Sequence, residues 1–129
     1  MSVLATSPAP RTLGDALALR PDLLAGQRAL DAALASEPSL DPVVRERCRL
    51  RVAQLVGGAG AADAPVDPDD VAVEFVEQMV LDVHGVSDAL VARLAAVLSP
   101  RAMVTLAQAT AVWEGRCRLA RALQVTPEI

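Results

Sequence analysis

At three points a capping residue directly before a proline reads as a helix start: Asp41-Pro42, Asp67-Pro68 and Ser99-Pro100. A short oxygen-bearing side chain at a helix N-cap accepts an otherwise orphan backbone N–H, and proline at the first helical position has no N–H to orphan. Each pair therefore opens a helix and fixes where it opens. After Asp41, Val44, Cys48, Val52 and Leu55 recur at spacings of four, four and three, and Gly57-Gly58 stops the segment because glycine tolerates the left-handed cap conformation. After Ser99, the segment to about Leu123 carries Met103, Leu106, Thr110, Trp113, Cys117 and Ala120, a seam suited to a bundle centre or a subunit interface. Between them, a helix from about Pro68 to His84 has Asp69 and Asp70 in its first turn, where the helix dipole favours negative charge. Its buried side reads as Val71, Phe75, Met79 and Leu81 or Val83, with His84-Gly85 as its C-terminal cap.

Three shorter helices complete the pattern. Thr12-Leu13-Gly14-Asp15 resembles a capping box, opening a helix that ends before Pro21. Pro21 starts another, with an apolar face at Leu23, Leu30 and Leu34, and Ser87 caps a third carrying Leu90, Leu94 and Val97. The chain holds no alternating run of β-branched residues, no Asn-Gly or Asp-Gly hairpin turn and no internal repeat. The expected fold is all-α: a compact bundle of about six helices forming one domain over residues 12–125, its helix pairs packed antiparallel across short loops. Residues 1–11 read as a flexible arm and 57–67 as a small-residue linker.

The chain is 53% hydrophobic but only 2% aromatic, so its core must come from Ala, Leu and Val, and helices must approach closely to bury enough area. Mean hydropathy of +0.35 leaves surplus apolar surface for a single small domain, which predicts a homo-oligomer. A net charge of −4 argues against a nucleic-acid partner. Arg45, Arg47, Arg49 and Arg51 alternate, so they spread around their helix and form no single stripe; Asp63, Asp67, Asp69, Asp70, Glu74, Glu77 and Asp82 offer them ion-pair partners. No apolar stretch approaches the ~20 residues that cross a bilayer, no secretory leader is legible, and two cysteines make no disulfide framework. No membrane is expected as a partner, and a reducing cytoplasm is the expected compartment.

Two segments resemble the carboxymuconolactone decarboxylase superfamily, which includes the alkylhydroperoxidase D-like proteins. They are Leu40–Gly57 (LDPVVRERCRLRVAQLVG) and Phe75–Leu90 (FVEQMVLDVHGVSDAL), followed by the long terminal helix, and together they cover most of residues 20–125. The resemblance implies an all-helical subunit that assembles into oligomers. In the family's peroxidase branch one helix carries a glutamate, and the next carries Cys-x-x-Cys and then a histidine. Only a thiolate attacks peroxide, and a neighbouring base lowers its pKa. Glu46 matches the family glutamate, but Gly58, Ala61 and Pro65 stand where the two cysteines and the histidine belong. The 57–67 linker takes the place of the usual catalytic helix. The resemblance thus implies a redox-inactive, degenerate member: an oligomer with a structural or regulatory role, assembling with itself or with an intact relative, and without a cofactor. The alternative is an enzyme of the same family, of peroxidase or small-organic-acid decarboxylase or isomerase type, whose relocated site uses Glu46 and His84 for proton transfer.

The individual residues leave both readings open. Glu46 is either a general acid or base, or a helix carboxylate paired with Arg49. Cys48 lies about 200° around the helix from Glu46. It and Cys117 read as buried structural thiols, with a bridge between them requiring Cα atoms within ~7 Å and Cys48 as nucleophile the catalytic alternative. His84 is the one histidine, which builds no metal site alone and suits a helix C-terminus. Gly57-Gly58-Ala59-Gly60 lacks the strand and the Lys-Ser/Thr of a phosphate loop and reads as a helix stop. Trp113 belongs to the core or an interface, or lines a pocket for a small apolar ligand.

Overall fold

The computed structural model describes residues 8–57 and 69–129. Most of the 57–67 linker and residues 1–7 of the arm lie outside the described residues. Six helices follow one another: α1 (Leu13–Leu17), α2 (Pro21–Ala35), α3 (Pro42–Val56), α4 (Val71–Leu81), α5 (Asp88–Ala95) and α6 (Pro100–Leu123). Among the described residues the extended pairing is a single parallel bridge between Thr12 and Thr126, so the fold is all-α.

The caps form where the side-chain chemistry places them. Asp41 Oδ1 accepts from the Val43 N–H at 2.8 Å, and Ser99 Oγ accepts from the Ala102 N–H at 3.1 Å. Ser87 Oγ accepts from the Leu90 N–H at 3.1 Å. Thr12 and Asp15 complete a reciprocal capping box. At the far end of α3, Gly57 adopts φ +81°, the left-handed conformation that stops the helix.

α4 departs from the expectation at both ends. It opens at Val71, not Pro68, because Asp70 is its N-cap and accepts from the Ala72 and Val73 N–H groups. It closes at Leu81; His84 belongs instead to a separate 3₁₀ turn, Val83–Gly85. Its buried residues are Ala72, Val73 and Val76, with Val71 and Phe75 packed at the edge, while Leu81 and Val83 are exposed. The sequence VAVEFV is apolar on almost every side, so spacing alone does not choose its inward face.

α6 is the axis of the core. Ala102, Leu106, Ala109, Thr110 and Ala120 are buried along it, and the Thr110 hydroxyl is satisfied by donating to the Leu106 carbonyl at 2.7 Å. Against this face sit Leu40, Cys48 and Val52 from α3 and its entry, the inner residues of α4, and Leu94 of α5. Met103 and Trp113 pack at the margin as the seam predicts.

The expected antiparallel pairing holds for α4 and α5, which are joined by a short connection and bridged by Glu74–Arg93. It fails for α3. Glu37, just before α3, pairs with Arg101 at the start of α6, while the Gly57 carbonyl after α3 accepts from Arg121 near the end of α6. Those two ties make α3 and α6 parallel. The pairs Arg47–Asp70 and Arg51–Glu77 likewise run in the same order along α3 and α4. A long connection between Val56 and Val71 has the reach to return the chain to the starting end, whereas a tight loop would force a hairpin.

Two features lie outside this core. Arg11 is tied down: its N–H donates to Asp15 Oδ2 and its carbonyl accepts from the Thr126 N–H. The tail continues along α1, with Thr126 and Glu128 carbonyls accepting from the Leu13 and Gly14 N–H groups. α2, by contrast, buries no residue fully; Leu23 is half-exposed, and Leu30 and Leu34 are only partly covered.

Leu106 is 0% exposed at the centre of this packing. Leu106→Ala is expected to lower unfolding stability by about 2–5 kcal/mol in urea titrations, while the exposed Val104→Ala changes it by less than ~0.5 kcal/mol. The Glu37 carboxyl is held down to about pKa 2, first by the Arg101 guanidinium and then by the Ser39 N–H. A carboxyl depressed on folding contributes stability that is complete above its unfolded pKa near 4.5 and is lost as pH falls through about 2. The difference in melting temperature between wild type and Glu37→Gln should therefore be full at neutral pH and shrink across that acid window.

Candidate functional site

Glu46 lies on the outward side of α3. Arg49 grips it with two hydrogen bonds, Nε to Oε2 at 2.9 Å and Nη2 to Oε1 at 2.5 Å. Those bonds hold the Glu46 carboxyl below its ordinary range and so weaken it as a base. His84 is exposed in the turn after α4, where its backbone N–H donates to Asp82 Oδ1 at 3.1 Å. Glu46 borders a cleft described below; His84 is not among its lining residues.

The two thiols are free. Cys48 is 0% exposed in the core, on the opposite side of α3 from Glu46. Burial pushes its pKa up to about 12, Asp70 adds to the rise and Arg47 opposes it. Cys117 is partly buried, and burial raises it too, against the nearby Arg116 and Arg49. Cys48 lacks the accessible, electropositive setting that makes a nucleophilic thiolate, and at Cys117 burial outweighs the nearby arginines.

The arginines of α3 each find a different partner. Arg47 pairs with Asp70 and Arg51 with Glu77, both on α4 or its cap, as the acidic composition there predicts. Arg45 turns toward the entry loop and donates to the Glu37 and Leu40 carbonyls, both at 3.2 Å.

A cleft of about 210 Å³ opens where α2 faces α3 and α6. Asp31 comes from α2, Arg45, Glu46 and Arg49 from α3, and Trp113 and Arg116 from α6. Arg116 Nη2 ion-pairs with Asp31 Oδ2 across it. The Nε atoms of both Arg45 and Arg116 are sealed from solvent without an acceptor, a condition that costs about 1–3 kcal/mol for each buried donor. None of the Nη1 atoms of Arg45, Arg49 and Arg116 hydrogen-bonds to a described residue, nor does the Trp113 indole N–H. Three guanidiniums face two carboxylates, leaving one positive charge in excess. Of these residues the sequence marks Glu46 with its partner Arg49, Arg45 and Trp113. Asp31 and Arg116 carry no local signal, because they lie 85 positions apart and meet only through the fold.

A second cleft, of about 280 Å³, lies between the end of α3 and the tail, bordered by Gly57, Cys117, Arg121 and Thr126. Besides the suppressed Cys117, its lining carries Glu128, whose carboxyl is held below its ordinary range by the Thr126 hydroxyl and is so weakened as a base. Among the described residues no group of three or more His, Cys, Asp and Glu is placed to hold a metal ion, and no helix is long and apolar enough to cross a membrane.

With a pKa near 12, roughly 10⁻⁴ of the Cys48 sulfur is thiolate at pH 8. Iodoacetamide at that pH should leave Cys48 unmodified in the folded protein and alkylate it fully in denaturant, read by peptide mass. Rapid labelling of native Cys48 would contradict its burial. In comparisons with known proteins, no family model matches the chain, and no curated protein or solved structure matches it either.

Proposed function

We propose that the chain is a redox-inactive helical subunit with an oligomeric structural or regulatory role, a degenerate member of the superfamily that Leu40–Gly57 and Phe75–Leu90 resemble. The observation that carries this reading is the state of Cys48: sealed in the core, its thiol held neutral, and separated from the one family acid by the width of a helix. Cys117 is no substitute, since burial raises it as well. Glu46 locked to Arg49 and an exposed His84 lend nothing to a relocated proton-transfer site. The oligomeric part of the reading draws on apolar surface that one subunit leaves uncovered: Leu19 and Leu23 near the start of α2, and Leu119 and Leu123 near the end of α6. In a reducing cytoplasm both thiols would stay free.

Peroxide consumption with excess dithiol tests the first half, on wild type beside Cys48→Ser and Cys117→Ser. The expected result is no turnover above buffer for any of the three. Turnover abolished by either substitution would overturn the redox-inactive reading. Light scattering tests the second half. The expected mass is a multiple of the 13.4 kDa subunit, and a monomer throughout the micromolar range would overturn the oligomer.

A further inference from the structure

We propose that the cleft between α2 and the α3 and α6 pair binds a small planar carboxylate, its acid group seated on the guanidiniums of Arg45, Arg49 and Arg116 and its apolar body against Trp113. This inference is independent of whether the chain is redox-inactive or oligomeric. Four observations carry it. The cleft is a real space of about 210 Å³, below the ~300–1,000 Å³ of sites for drug-sized molecules, so its ligand is small. Its excess charge is positive, and the donors are guanidiniums, whose planar fork matches a carboxylate in two parallel hydrogen bonds.

Third, the donors are unspent. Arg45 and Arg116 each hold a sealed Nε–H without an acceptor, and the Nη1 group of all three arginines is uncommitted among the described residues. Asp31 and Glu46 use one edge of Arg116 and Arg49 and so orient the remaining edge. A bound carboxylate takes up that remaining capacity after a small rotation of the guanidinium planes. Fourth, the same cleft has an apolar share of lining: Trp113 of α6, with Leu34 and Ala35 of α2.

The least buried side of the site is α2. It buries no residue fully, and the Asp31–Arg116 pair ties it to α6. A carboxylate entering the cleft competes with Asp31 for Arg116.

Trp113 is the sole tryptophan and the chain has no tyrosine, so indole fluorescence reports on this cleft directly. The full chain is titrated with benzoate, with benzamide as the uncharged isostere and inorganic phosphate as the anion without an apolar body. Benzoate should change the Trp113 emission saturably and bind about tenfold or more tightly than benzamide, and equimolar phosphate should not displace it. Arg116→Gln and Arg49→Gln should each weaken benzoate about tenfold, while Arg118→Gln, on the exposed face of α6, should stay within about twofold. If Arg116→Gln loses helical circular dichroism, Arg49→Gln decides, because Arg49 is exposed and hydrogen-bonds only to Glu46 among the described residues. The proposal is overturned by an absence of saturable change up to millimolar benzoate, by equal affinity for benzamide, by displacement with equimolar phosphate, or by indifference to the decisive arginine.

Discussion

The close approach of α3 and α4 to α6 is the constraint on which the rest of the molecule depends. With one phenylalanine, one tryptophan and no tyrosine, the chain has no large side chains to span a wide gap between helices. Alanine at positions 102, 109 and 120 of α6 removes the gap instead of filling it. Leu106 then interlocks with Val52 and Cys48 in the same cluster, and Val73 and Val76 close the α4 side. A core of this kind gains its stability from many short contacts, so each aliphatic side chain within it matters and few positions tolerate added volume. The Thr110 hydroxyl fits in the core because it donates within its own helix to the Leu106 carbonyl.

Charge plays a different part. Arg47–Asp70, Arg51–Glu77 and Glu37–Arg101 run along the rims of the packed faces, where ion pairs add little net stability. Their worth lies in alignment: a shift of one turn along α3 would separate the first two pairs at once. The cleft beside Trp113 departs from this one-to-one pattern, since three guanidiniums there face two carboxylates and the Nε atoms of Arg45 and Arg116 are left without an acceptor.

Local rules were legible in the sequence because their chemistry is local. The caps at Thr12, Asp41, Ser87 and Ser99, the stop at Gly57 and the stripe from Val44 to Val52 each depend on residues within one or two turns. α4 shows where such reading ends. Asp67, Asp69 and Asp70 are all plausible caps by type, and the winner is decided by which helix end meets α3 and Arg47. The parallel course of α3 and α6 was illegible for a related reason, since direction is set by ties such as Glu37–Arg101 between residues 64 positions apart. Of the candidate site, the Glu46–Arg49 pair, Arg45 and Trp113 were visible within their own helices. Their joining with Asp31 and Arg116 into one cleft is a tertiary fact that no spacing encodes.

The strap by which residues 126–128 hydrogen-bond to Arg11, Leu13 and Gly14 joins segments more than a hundred residues apart in the chain. Closing a loop that long sacrifices chain entropy for a handful of backbone hydrogen bonds, so it becomes favourable only once the helices between have drawn its ends together. The strap therefore records completion. It forms after α3, α4 and α6 have met, and the Gly14 N–H donates to the tail at so close an approach that a β-carbon there would press on the Ile129 backbone at 3.0 Å. A side chain at position 14 would thus disturb the last step of assembly while leaving the bundle core to form as before.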